Sequence, residues 1–210
     1  TLKRSNLGYV LVLIAALMWG TIGIFVNGIS ALGVSSQSMA AFRLLSGAIL
    51  MAPVLVFMGC QGGAREGKAT GPMALFKASP KELVPCALVG IVGLAIANTL
   101  YYECMREVGM STASVLLYTS PVFGVLLGRV LYREGVTPNK LVALVFNIIG
   151  CVFAVTSGDL SGFHFSVWGV VSGVIAGLCG ALLAVFSRMA TKTLHPLAVT
   201  FWGFVFGGCF

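Results

Sequence analysis

Long apolar runs dominate the chain, and short polar segments separate them. Seven such runs are present, and most are roughly 20 residues long, the length that a helix needs to cross the hydrocarbon core of a membrane. Strands of a membrane barrel alternate apolar and polar residues, and these runs do not. The pattern predicts an all-α polytopic membrane protein with helices at about residues 7–27, 38–58, 83–103, 111–131, 141–157, 166–187 and 196–210.

The composition excludes the main alternatives to a membrane protein. Hydrophobic residues make up 58% of the chain and charged residues only 9%, whereas soluble domains are about 25% charged. Disordered chains are poor in apolar residues, so disorder is excluded as well. The six cysteines are scattered and are interpreted as small packing residues, since none has the spacing of a metal site.

The basic residues orient the predicted helices. If the N-terminus is cytoplasmic, eleven of the 13 Lys and Arg residues fall on the cytoplasmic side, Arg106 alone lies in the opposite loops, and Arg43 lies within a span. This asymmetry follows the positive-inside rule. We therefore expect a cytoplasmic N-terminus in a plasma (inner) membrane. The net charge of +7 then indicates the lipid bilayer as a partner, with its anionic inner leaflet, and not nucleic acid.

A weak internal repeat relates the first and sixth runs. A shift of 161 residues aligns Gly8 with Gly169, Ile14 with Ile175 and Phe25 with Phe186. Five spans separate the two starts, and an odd number inverts the second unit, as in inverted-repeat transporters. The prediction is a five-helix unit at 1–157 and the start of a second unit at 166–210, with the chain truncated in the seventh helix of a ten-helix fold. A complete seven-helix protein is the alternative.

Two ionisable residues at membrane depth are candidates for function. Arg43 lies about five residues into the second span, where an Arg is costly. Glu103 closes the third span, so the two side chains form a possible ion pair, or Arg43 meets a charged solute. Alternatively, Arg43 extends to the interface and Glu103 is simply solvated.

Polar and aromatic residues near Glu103 extend this candidate site. Asn98, Tyr101 and Tyr102 fall within about one helical turn, so two of them share a face and can line a cavity. An aromatic belt at the membrane interface is the alternative.

The fourth span contains a predicted helix break at Pro121. Proline has no N–H group, so the carbonyl group of Leu117 loses its helical donor. Transporters place broken helices at the substrate site, and a simple packing kink is the alternative. Tyr118 and Ser120 flank this break, Trp19 lies in the first span, and Asn147 of the fifth span is interpreted as a contact between helices.

Glycines mark faces where helices are expected to pack closely. Gly169, Gly173 and Gly177 recur every four residues in the sixth span, and Gly124 and Gly128 do so in the fourth. The sequence contains no HExxH motif, no pair of intramembrane aspartates and no P-loop. We therefore predict no catalytic residue, no metal site, no cofactor and no enzymatic activity.

Several motifs together resemble the drug/metabolite transporter superfamily, specifically its EamA-like family. They are the run Ala15–Gly20, the run Arg43–Ala48, Glu107–Gly109 followed by Ser114–Phe123, and Gly128–Pro138. The resemblance implies ten helices in two inverted repeats, both termini in the cytoplasm, and export or exchange of small metabolites.

These observations predict a secondary transporter that moves a small-molecule solute by alternating access. The expected substrate-binding residues are Trp19, Arg43, Asn98, Tyr102, Tyr118 and Ser120. A scaffold without transport activity and a membrane-embedded enzyme are the alternatives. Polar side chains that converge on a central cavity are expected for a transporter only.

Overall fold

The computed structural model describes residues 9, 10, 13, 14, 16–18, 20–62, 78–133, 135, 137–156 and 166–210. The chain divides into two compact units, Thr1–Ser35 and Ser36–Phe210. The first unit contains helix α1, Ile22–Ser30. The described residues from 9 to 20 are also helical, while Trp19 lies outside the described residues.

The second unit contains seven helices in its described part. They are α2 (Ser36–Gly62), α3 (Pro80–Val108), α4 (Met110–Leu117), α5 (Ser120–Tyr132), α6 (Pro138–Thr156), α7 (Val167–Ala190) and α8 (Pro196–Cys209). All regular elements in the described ranges are helical.

Four segments are long and apolar enough to cross a membrane: Ser36–Gly59, Pro80–Val108, Met110–Tyr132 and Val167–Ala190. The shorter segments Ala16–Val26, Pro138–Gly150 and Pro196–Cys209 are apolar as well. Because a helix satisfies its own backbone hydrogen bonds, it is one of the few structures that can span lipid. The predicted class of a polytopic helical membrane protein is confirmed. The inverted repeat and the ten-helix fold stay predictions.

Helix α7 lies at the centre of the second unit and packs against α3, α4 and α5. Helix α8 packs against α2 and α3, and α6 contacts α4. The buried side chains of Cys86, Val89, Ala190 and Val199 form a cluster where α3, α7 and α8 meet.

Helix α3 is not a uniform α-helix. It is α-helical over Pro80–Leu88, π-helical over Val89–Ile96 and α-helical again over Ala97–Val108. Its start is stabilised by Glu82, whose Oε2 atom accepts a hydrogen bond from the Ser79 N–H group at 2.8 Å. A π-helix is rare and frequently marks a functional site. This wide segment lies between α7 and α8 and leads directly into Asn98.

Glycine allows the backbones of α3 and α8 to touch. A Cβ atom at Gly90 would meet the carbonyl oxygen of Gly203, and it would lie 2.8 Å from the backbone nitrogen of Gly207. Conversely, a Cβ atom at Gly207 would lie 2.6 Å from the carbonyl oxygen of Gly90. Backbone atoms cannot rotate away, so only glycine fits at this crossing.

The glycines of α7 also lie at close contacts, as their spacing indicates. A Cβ atom at Gly173 would lie 2.7 Å from Cβ of Leu116, and one at Gly177 would lie 2.7 Å from Oγ1 of Thr119. The same expectation is wrong for Gly124, because no described atom lies within 4 Å of a Cβ atom built there. Helix α5 contacts α7 through Ser120 and Tyr132 instead.

Helix α7 begins at a capped end that also connects it to α3. The hydroxyl group of Ser166 accepts a hydrogen bond from the Gly169 N–H group at 3.3 Å and donates one to Oε2 of Glu107 at 2.8 Å. A carboxylate near a helix N-terminus interacts favourably with the helix dipole. This contact fixes the end of α3 against the start of α7.

We expect Gly90→Ala to destabilise the protein by about 1–3 kcal/mol, because the added methyl group overpacks a backbone contact. Thermal unfolding in detergent measures the effect. Gly150→Ala in α6 is the matched control, since a Cβ atom there meets nothing within 4 Å. Equal melting temperatures for the two variants would contradict the close backbone contact.

Candidate functional site

Arg43 forms the centre of a polar cluster between α2 and α3. Its Nη1 atom donates hydrogen bonds to Oδ1 of Asn98 at 2.7 Å and to the hydroxyl oxygen of Tyr102 at 3.0 Å. The cluster is part-buried, and both partners come from the Ala97–Val108 segment of α3. Asn98 and Tyr102 are four residues apart and so share one face of this segment.

The orientation of the Asn98 amide group follows from its second hydrogen bond. Nδ2 of Asn98 donates to the carbonyl oxygen of Leu94 at 2.6 Å, and Leu94 belongs to the π-helical segment. This anchor turns Oδ1 towards Arg43, whose guanidinium group has only donors. The π-helical segment therefore supplies the acceptor that holds Asn98 in position. The role of Leu94 is not visible in the sequence, because a backbone carbonyl group has no residue pattern of its own.

Tyr102 is almost completely buried, with 2% of its surface exposed. Its ring lies beside the ring of Tyr101, with centroids 6.2 Å apart. Tyr101 points to a different partner, because its hydroxyl group lies 3.2 Å from Oγ of Ser114 in α4. The Ser114 hydroxyl group donates to the carbonyl oxygen of Met110. Tyr101 thus connects α3 with α4, while Tyr102 contacts Arg43.

Glu103 forms an ion pair with Arg106, one turn further along α3, at 3.6 Å. Both side chains are roughly one-third or more exposed, so the pair is screened by solvent and is worth little for stability. Arg43 donates hydrogen bonds to Asn98 and Tyr102. The pairing of Arg43 with Glu103 stays a prediction.

The fourth span is interrupted between α4 and α5. Helix α4 ends at Leu117 and α5 begins at Ser120, with Pro121 in its first turn. The hydroxyl group of Thr119 donates to the carbonyl oxygen of Leu116 at 2.6 Å. Nδ2 of Asn147 in α6 approaches the carbonyl oxygen of Tyr118 at 3.4 Å. Neighbouring side chains thus supply donors at the break, as membrane helices require.

Helix α7 supports this interruption with its glycines. Thr119 and Leu116 lie against Gly177, and a Cβ atom at Gly180 would lie 3.1 Å from Oγ of Ser120. Tyr118 points away from the packed side, with 57% of its surface exposed.

The structure brings three of the six predicted binding residues into one cluster: Arg43, Asn98 and Tyr102. Tyr118 and Ser120 lie at the interruption of the fourth span, which α7 and α6 support. The contact between Tyr101 and Ser114 connects the two regions. Trp19 lies outside the described residues. Within the described ranges, no group of three or more His, Cys, Asp or Glu side chains is placed to hold a metal ion.

Comparison with known proteins points to the same family that the sequence motifs resemble. Residues 6–156 match the model of the EamA-like transporter family. The chain is 23% identical to the uncharacterized transporter YyaM of Bacillus subtilis, covering 82% of this chain and 53% of the relative. It is 27% identical to a probable terminal-alkyne amino-acid exporter of Streptantibioticus cattleyicolor, covering 51% of this chain and 36% of that protein.

A human relative extends the comparison. The chain is 23% identical to solute carrier family 35 member G1, covering 85% of this chain and 46% of the relative. The chain spans about half the length of the curated relatives it matches. No solved structure matches it significantly.

We expect Asn98→Leu to lower the free energy of unfolding by about 1–3 kcal/mol, because it removes a hydrogen bond to a charged group and leaves the Leu94 carbonyl without the amide donor. Thr99→Val is the control, since it changes the adjacent residue of α3 and removes no hydrogen bond to a described side chain. Thermal unfolding of both variants in detergent is the measurement. If the two variants have the same melting temperature, the cluster does not hold α2 against α3.

Proposed function

Because the chain belongs to the EamA-like transporter family, whose members are transporters and not enzymes, we propose that it moves a small solute across the membrane by alternating access. As a secondary transporter, it acts as an exporter or exchanger of metabolites. The family assignment sets aside the alternative of a membrane-embedded enzyme. A scaffold without transport activity predicts no flux, so a transport assay separates it from this proposal.

The observation that carries the proposal is the Arg43 cluster. A charged side chain within a membrane helix costs about 2.5–3.5 kcal/mol at the helix centre by insertion scales, so such residues usually serve a function. Here two neutral side chains of a second helix accept hydrogen bonds from Arg43. Such a group supports recognition of a polar solute at membrane depth.

The substrate-binding residues in this proposal are Trp19, Arg43, Asn98, Tyr102, Tyr118 and Ser120. Two observations support the inclusion of the fourth span: its helix is interrupted at Tyr118 and Thr119, and it contacts α3 through Tyr101 and Ser114. Interrupted helices of transporters expose backbone polar groups to the solute. In the whole protein, the proposed cavity lies between two inverted five-helix repeats, and the first repeat corresponds to residues 1–157.

The proposed setting is a plasma (inner) membrane with the N-terminus in the cytoplasm. The distribution of the basic residues supports this orientation. The relative from Streptantibioticus cattleyicolor is named a probable amino-acid exporter, which makes amino acids reasonable solutes to test first.

This proposal allows two roles for Arg43. It attracts an anionic group of the solute, or it pairs with Glu103 in one state of the transport cycle. The first role acts on solute affinity, and the second acts on the rate of interconversion between states.

We expect Arg43→Ala to reduce solute flux at least about tenfold, because a charge-assisted hydrogen bond contributes about 1.5–3 kcal/mol. Metabolite profiling of cells with and without the gene identifies the solute. Flux is then measured with the full-length protein in proteoliposomes. Lys81→Ala is the control, since Lys81 is an exposed cation at the start of α3, at the other end of that helix from Asn98 and Tyr102. Unchanged flux in Arg43→Ala would refute the assigned role of Arg43.

We expect Glu103→Gln to leave the KM for this solute close to that of the unmodified protein, because Glu103 pairs with Arg106 in this structure. KM and maximal rate are measured in the same proteoliposomes. A changed maximal rate at constant KM would favour the pairing of Glu103 with Arg43 during the cycle.

A further inference from the structure

The hydroxyl group of Tyr102 has a hydrogen that none of the described residues accepts. Arginine has donors only, so the contact at 3.0 Å makes the Tyr102 oxygen the acceptor. The hydroxyl group therefore has its own hydrogen left to donate. Tyr102 is 2% exposed, and no described residue accepts that hydrogen. A buried donor without an acceptor is costly, which favours a binding partner for this hydrogen.

The side chain of Asn98 also has one hydrogen without an acceptor among the described residues. One hydrogen of its Nδ2 group goes to the Leu94 carbonyl oxygen, and its Oδ1 atom accepts from Arg43. The other Nδ2 hydrogen has no acceptor among the described side and main chains. Two donors thus remain beside one guanidinium group.

The chemistry of these groups favours an anion. A donated hydrogen bond from Arg43 polarises the Tyr102 hydroxyl group, so this group becomes a better donor to a negatively charged oxygen. A carboxylate group has only acceptors, up to about four lone-pair sites, and matches both remaining donors and the positive charge. An ammonium group would be repelled by Arg43, and it has no acceptor for these two hydrogens.

The charges of the two described helices that form the cluster favour an anion with one negative charge. Arg43 is the single basic residue of α2. The Ala97–Val108 segment of α3 adds only Arg106, which pairs with Glu103. A phosphate dianion would carry one more negative charge than α2 and this segment of α3 can balance, which is costly in a low-dielectric environment.

We propose that the solute carries a single carboxylate group, and that Tyr102 is a specificity-determining residue whose hydroxyl group donates a hydrogen bond to that carboxylate. The inference rests on the proposed function, because it names the solute class of the same site. It also selects one of the two roles left open for Arg43, namely attraction of an anionic group.

Binding of matched probes to the full-length protein tests the charge preference. The probes are benzoate and benzamide, nicotinate and nicotinamide, lactate and lactamide, and phenyl phosphate as the dianion. The measured quantity is the probe concentration that gives half-maximal thermal stabilisation in detergent. We expect at least one carboxylate to stabilise the unmodified protein at a concentration at least about tenfold lower than its amide. Phenyl phosphate is expected to be weaker than benzoate.

The variants Tyr102→Phe and Tyr101→Phe test the assigned donor. Each removes one hydroxyl group from adjacent residues of α3, but the Tyr101 hydroxyl group contacts Ser114 and not Arg43. We expect Tyr102→Phe to weaken carboxylate binding about 10- to 100-fold and to leave amide binding unchanged. Tyr101→Phe is expected to keep the carboxylate preference.

Several results would overturn the inference. They are an amide or phenyl phosphate that binds as well as the carboxylate, a panel in which no carboxylate binds, and equal effects of the two tyrosine variants. The preference of the unmodified protein needs no variant, so the inference stays testable if Tyr102→Phe does not fold. Absence of flux for every solute in proteoliposomes would instead refute the proposed function. Flux of an uncharged solute would refute the carboxylate preference alone.

Discussion

A guanidinium group inside a membrane-spanning segment must obtain hydrogen-bond acceptors from neighbouring helices, because lipid offers none. Arg43 meets this requirement through Asn98 and Tyr102, both on one face of α3. The contact joins α2 to the face of α3 that carries Asn98 and Tyr102. Much of the candidate site depends on this one requirement.

The π-helical segment of α3 orients the Asn98 amide group for that contact. The Leu94 carbonyl group accepts a hydrogen bond from the Asn98 side chain and so orients the amide group independently of Arg43. The same segment lies against α7 and α8, where Gly90, Gly203 and Gly207 allow backbone contact. Close packing on one side of α3 and a polar contact on the other thus act on the same short stretch of helix. A change in either is expected to affect the other.

The second region of the candidate site, at the interruption of the fourth span, depends on hydrogen-bond donors for its free backbone carbonyl groups. The interruption of the fourth span exposes backbone carbonyl groups that a continuous helix would satisfy. Thr119 and Asn147 supply donors there, and Gly177 leaves room for Thr119 against α7. Backbone polarity at membrane depth is tolerated because the neighbouring helices compensate it. Tyr101 and Ser114 connect this region with α3.

The sequence by itself determined the helical membrane class, because lipid requires long apolar helices and these are visible as apolar runs. It also identified Arg43, Asn98 and Tyr102 as candidates, since charged and polar residues are conspicuous in an apolar span. Pairing is different, because residue spacing does not predict which side chains meet. The fold brings Arg43 to Asn98 and Tyr102 and brings Glu103 to Arg106, while the pairing of Arg43 with Glu103 stays a prediction. The distance between side chains on separate helices depends on helix rotation, which residue spacing within one helix does not fix. The π-helical segment and the Leu94 anchor were likewise decided only by the tertiary structure, because packing against α7 and α8 and backbone geometry carry no residue pattern of their own.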